Sequence, residues 1–162
     1  MAEHWVINAS PVILLAKAGV IDLLPRVCDE LVIPFSVVGE VSTGQRSDAG
    51  RAWLAGEGSR YVVASPFIPP PLANADLGLG EAEVLAWALT YSGFTAVLDD
   101  RQGRSWAKRL NLPFTGSLGV VVLLKRRGLI QTARPAIERI RSVGGYVSEV
   151  AIKAALAAAG ES

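Results

Sequence analysis

Cysteine and histidine occur once each in the 162 residues, as Cys28 and His4. A lone cysteine excludes an internal disulfide framework and a cysteine zinc site, and it fits a reducing cytoplasm. A lone histidine, read as preceding the first strand and lying at the surface, leaves a Ser–His–Asp arrangement without its base. An excess of one charge is lacking too: sixteen Lys and Arg face fifteen Asp and Glu, a net charge of +1. Net charge therefore argues neither for nor against nucleic acid. Apolar runs such as VVVLL at 120–124 fall far short of the roughly 20 residues that a membrane span needs. MAEHWVINAS has no basic region followed by an apolar stretch, so no signal peptide is expected. A soluble, cytoplasmic chain is the expectation. With 51% hydrophobic and 19% charged residues, it should form one globular domain over 1–162 rather than a disordered chain.

Short β-branched runs alternate with longer helical ones. WVI (5–7) reads as a central strand, and Ser10–Pro11 as the cap and first position of a helix that runs to Gly19. IDLLPRV is a short helix or turn interrupted at Pro25. LVI (31–33) is a second strand closed by Pro34, after which Ser36 is placed to cap SVVGEVS. A polar stretch leads into the helix AGRAWLAG, and RYVVAS (60–65) is a third strand. Four prolines in residues 66–76 predict an irregular surface loop. GEAEVLAWALTYSG (80–93) has Val84, Leu85, Ala88 and Leu89 at helical spacing. TAVL (95–98) is a fourth strand, RQGRSWAKRL a basic helix, and LPFTG a short fifth strand. SLGVVVLLKRRG, TARPAIERIRSVG and SEVAIKAALAAAG close the chain as helices. Strands alternating with helices imply parallel βαβ units, hence a three-layer α/β/α sandwich around a parallel sheet of four to five strands.

Acids and one amide stand where strands stop or helices begin: Asn8, Glu40, Glu81, Asp99 and Asp100. Ligands of open parallel sheets bind beyond the carboxyl ends of the strands. Asn8 directly follows the first strand and Asp99–Asp100 the fourth. Glu40 and Glu81 are read in the first turn of their helices, at the same end of the sheet. All five side chains can then reach one cleft, and crowded carboxylates with oxygen donors suit a hard cation such as Mg²⁺ or Mn²⁺. Each has a plainer reading. An acid in a first turn suits the helix dipole, Asp100 can cap the next helix, and Asn8 can be a turn residue. Their coincidence at one end of the sheet favours a shared site.

VINASPVILLAKAG, LVIPFSVVGEV, GEAEVLAWAL and VLDDRQGRSWAKRLNLPFTGSLGVVVLLKRRGLI, taken in order, resemble the PIN-domain nucleases, and more narrowly their VapC-like toxin branch. The resemblance spans nearly the whole chain. It implies a Mg²⁺- or Mn²⁺-dependent endoribonuclease, usually a homodimer, that is held inactive by a small antitoxin within a type II toxin–antitoxin pair. By that resemblance Asn8, Glu40, Glu81, Asp99 and Asp100 are the metal ligands, and the four acids among them the catalytic set. Ser10 matches a small hydroxyl residue that steadies a ligand or a phosphate. Asn8 stands where most members have Asp, and an amide brings no negative charge and cannot act as a base. A catalytically silent PIN-fold binding module is therefore one alternative. A phosphorylation-receiver domain is another, although its paired acid would follow the first strand and not the fourth.

Arg101, Arg104 and Lys108 fall on one face of a helix that starts beside the acidic pair. They are the candidate RNA-binding residues, since a basic rim around an acidic cleft suits a nuclease. A solvated helix face is the plainer reading. Lys125, Arg126 and Arg127 end a later helix and extend the rim or simply complement its dipole. The four tryptophans, inside regular elements, are expected to pack rather than stack bases. KAALAAAG offers an apolar helix face for a dimer or antitoxin contact, or for internal packing.

Overall fold

Five parallel strands form one sheet in the order β3-β2-β1-β4-β5: β1 (His4–Ile7), β2 (Glu30–Pro34), β3 (Val62–Val63), β4 (Phe94–Val97) and β5 (Phe114–Thr115). The computed structural model describes residues 3–43, 48–143 and 147–161. The polar stretch at 44–47, and Gly144 at the close of the TARPAIERIRSVG segment, lie outside the described residues. Among those described, ten α-helices surround the sheet. They are α1 (Ala9–Lys17), α2 (Leu24–Val27), α3 (Phe35–Thr43), α4 (Asp48–Ala55), α5 (Pro70–Ala73), α6 (Leu79–Thr90), α7 (Arg101–Arg109), α8 (Ser117–Arg126), α9 (Arg134–Val143) and α10 (Glu149–Ala158). None is long and apolar enough to cross a membrane.

Successive strand residues point to opposite faces of a sheet. Trp5, Val6 and Ile7 are all buried, as are Leu31, Val32 and Ile33, and Ala96 and Val97. Both faces are therefore covered, as the three-layer sandwich requires. The helix α6 packs over β1, β2 and β4. It buries Val84, Leu85, Ala86 and Ala88 almost completely, and truncating Leu85 there would cost about 2–5 kcal/mol.

Several local expectations are corrected. Residues 66–76 are not wholly irregular. Pro70 and Pro71 open the one-turn helix α5, because a proline's missing N–H costs nothing in a first turn. The third strand shrinks to Val62–Val63, since Glu57–Tyr61 winds into a 3₁₀ turn. The fifth keeps two residues. Helix α1 starts at Ala9, so Ser10 lies inside it and caps nothing; Asn8 flanks it without a side-chain cap bond. Ser36 is likewise inside α3. Glu40 sits in the second turn of α3, not the first, because the helix already starts at Phe35. His4 opens β1 instead of preceding it, its ring edge-on to Phe94 at 5.6 Å.

The receiver alternative fails on topology. That fold runs 2-1-3-4-5, with β3 beside β1. Here β1 is flanked by β2 and β4.

Candidate active site

The chain moves outward from β1 through β2 to β3, then returns to lay β4 on the other side of β1. The crossovers leaving β1 and β4 thus diverge and open a crevice at the carboxyl ends of the two strands. Asn8 lies at its base, its N–H donating to Val97 O at 3.1 Å. Asp99 stands just beyond Val97. A cleft of about 640 Å³ at this point is lined by Asn8, Ser10, Glu40, Glu81, Asp99 and Asp100, with Ile13, Leu14 and Val143 on its apolar wall. Elements far apart in the chain thus bring all six of the expected side chains together.

Each acid is held by a neighbour. Asp99, half-buried, accepts from Ser117 N–H at 2.7 Å and the Ser117 hydroxyl at 2.6 Å, and from the Ser10 hydroxyl at 3.3 Å. Asp100, exposed, caps α7 by accepting from the N–H groups of Gln102 at 3.0 Å and Gly103 at 3.4 Å. Glu40 accepts from Gly80 N–H at 2.9 Å. Glu81, in the first turn of α6, folds back to accept from Gly78 N–H at 3.2 Å. Two glycines here leave room for a carboxylate, which would have to shift if either position carried a side chain. A Cβ on Gly80 would lie 2.5 Å from Glu40 Oε2, and one on Gly103 would lie 2.9 Å from Glu81 Oε2.

Among the described residues, two buried oxygens in this cleft, Asn8 Oδ1 and Glu81 Oε2, accept from no N–H or serine hydroxyl. Burial pushes the Glu81 carboxyl up to about 7. The Asp100 carboxyl against it and the charges of Asp100 and Glu40 push the same way, and the Gly78 N–H opposes them. Lone acceptors in a crowded acidic cleft are the complement of a hard cation. Among the described residues, however, no three acid, histidine or cysteine side chains form a ready-made cage for a metal ion. The amide and hydroxyl donors above hold the carboxylates in their present places.

A protein-family model described as PIN domain (DUF3368) matches residues 4–161. The chain belongs to the PIN-domain family. No curated protein matches it. PIN domains are generally nucleases, which suits a cleft of acids at a switch point.

Beyond the acids, Arg101, Arg104 and Lys108 of this PIN domain line a second groove, of about 660 Å³, that continues into Asp99 and Asp100. Phe114 forms part of it, with the Arg104 guanidinium 5.3 Å above its ring. The later basic cluster is engaged elsewhere. Lys125 reaches Glu161 at 2.7 Å, and Arg126 donates to Ala158 O at 3.0 Å, so both tie α8 to the C-terminal segment. Trp5 and Trp53 are buried, and Trp87 packs against Tyr91 and Phe94.

Ser117 and the glycines at 80 and 103 were not visible as site residues in the sequence. The available signal was position: Gly116–Ser117 follows β5, the strand next to β4, and so reaches the same mouth.

Proposed function

We propose that this PIN domain is a Mg²⁺- or Mn²⁺-dependent endoribonuclease that hydrolyses RNA phosphodiester bonds. The observation that carries the reading is the pair of buried oxygens, Asn8 Oδ1 and Glu81 Oε2, that find no N–H or serine hydroxyl among the described residues, in a cleft shared with Glu40, Asp99 and Asp100. These are hard oxygen donors, as such a cation prefers. When bound, the cation would supply the charge that acidifies a water and balances the scissile phosphate. The chain's own groups do the rest. Glu40, Glu81, Asp99 and Asp100 provide the negative charge, Asn8 a neutral oxygen, and Ser10 and Ser117 hold Asp99. The Arg101, Arg104 and Lys108 groove attracts the RNA backbone.

The toxin role, with a small antitoxin as partner and a homodimer as the assembly, is part of the same proposal. The VapC-like order of motifs supports it.

The test is purified, antitoxin-free protein on RNA with Mn²⁺ or with EDTA. Cleavage should require Mn²⁺ and disappear in Asp100→Asn. Cleavage that survives EDTA, or that Glu81→Gln leaves intact, overturns the reading. A second reading, a catalytically silent PIN fold that only binds, draws on the uncharged Asn8 and the missing ready-made cage. RNA retained but uncut in Mn²⁺ would establish it.

A further inference from the structure

Glu83 is the one buried acid among the described residues, 3% exposed, yet it lies outside the acidic cleft. Among those residues its oxygens are matched by Ser36 and not by a cation: Ser36 N–H donates to Oε1 at 3.2 Å and the Ser36 hydroxyl to Oε2 at 2.8 Å. Burying a carboxylate in this way is costly, so its placement calls for a reason.

Ser36 is the second residue of α3. Its N–H is one of the amides that a helix leaves without an internal partner. Glu83, on α6, therefore caps α3 from a different helix and sets a negative charge at its positive end. One turn further along the same side of α3 is Glu40. Glu40 accepts from Gly80 N–H at 2.9 Å, and Gly80 precedes Glu83 by one turn on α6. Two rungs, Ser36–Glu83 and Glu40–Gly80, thus tie the same sides of the two helices. Both rungs are partly buried, with Glu83 the buried acid of the first and Glu40 the exposed acid of the second.

We propose that Glu83 is a positioning residue which, through Ser36, fixes the seating of α3 on α6 and so holds Glu40 at the cleft mouth beside Glu81. The inference rests on the metal-nuclease reading of that cleft. Glu83 touches neither metal nor RNA in this scheme; it acts only through the placement of Glu40.

Mn²⁺ alone is the probe. Affinity is measured by electron paramagnetic resonance of free Mn²⁺, and folding by thermal melts in EDTA. Glu83→Gln and Ser36→Ala should each weaken Mn²⁺ binding about 10- to 100-fold, the usual effect of losing a group that orients a ligand. Ser36→Thr, which keeps the hydroxyl, should bind within about threefold of the parent, well inside that loss. The double variant Ser36→Ala/Glu83→Met separates positioning from stability. An apolar pair of similar size should hold or raise the melting temperature, while Mn²⁺ binding stays weak. If Glu83→Gln and Ser36→Ala bind Mn²⁺ like the parent, while Glu40→Gln does not, the inference is overturned and the nuclease reading stands. If affinity falls only in proportion to the folded fraction, Glu83 is merely structural and the inference is overturned again. If the parent protein takes up no Mn²⁺ at all, the metal reading falls and takes this inference with it.

Discussion

Ser117 grips Asp99 twice, its N–H donating to Oδ1 at 2.7 Å and its hydroxyl to Oδ2 at 2.6 Å. The hydroxyl is all but inaccessible, with Ser117 1% exposed. Ser117→Ala keeps the N–H bond and strips one donor from a partly buried carboxylate. We expect a loss of about 1–2 kcal/mol in urea unfolding and a fall of about 10- to 100-fold in Mn²⁺-dependent cleavage. Unchanged cleavage would show that Asp99 needs no such anchor.

Gly80 leaves room for Glu40. A methyl group there would meet Glu40 Oε2 at 2.5 Å, while alanine suits a helix better than glycine by roughly 0.5–1 kcal/mol. Gly80→Ala should therefore fold with little change in melting temperature and lose at least about tenfold in Mn²⁺ affinity. A matched loss of stability and affinity would contradict this account.

The pH dependence follows from Glu81. Its carboxyl, raised from 4.5 to about 7 in the folded chain, holds a proton more tightly there than when unfolded. Its stabilising contribution is thus fully present below pH 4.5 and lost as pH rises through about 7. In EDTA the protein should lose stability across that window by urea titration, and Glu81→Gln should flatten the loss. Mn²⁺ uptake needs the ionised form, so binding should strengthen with pH over the same range and release a proton.

Asn8→Asp would place another carboxylate beside Glu81 and Asp99. The metal-free protein should lose about 1–3 kcal/mol, since a buried charge is left unpaired. Mn²⁺ should bind at least about tenfold more tightly, because affinity follows ligand charge. Melts with and without Mn²⁺ read both effects, and a variant no worse off in EDTA would refute the crowding.

Arg101, Arg104 and Lys108 can be separated from the acids by salt. Alanine at any one of them should reduce the slope of log affinity against log salt by about 0.7 for single-stranded RNA. Turnover at saturating RNA should hold. An unaltered slope in all three would make the α7 face merely solvated.

Regular elements were the easy part to read. Continuous apolar triplets such as Trp5–Ile7 and Leu31–Ile33 mark strands covered on both faces, and they are so covered. Helix starts were harder. Ser10 and Ser36 both look like caps, because a serine ahead of an apolar run usually is one. Each lies inside its helix instead, and its hydroxyl goes to an acid of another segment, Asp99 or Glu83. A partner 89 or 47 residues away leaves no local trace.

The order of residues by itself determined the alternation of strands and helices and, through it, which acids stand at strand ends. Both are properties of short stretches, set by hydrophobic period and by the backbone needs of proline and glycine. Only the tertiary structure decided that β4 returns beside β1 and not beyond β3, and so where the crevice opens. It also decided which donor holds each carboxylate, and which two cleft oxygens find none among the described residues. Those outcomes depend on distances between segments remote in the chain, which packing sets and local preference does not.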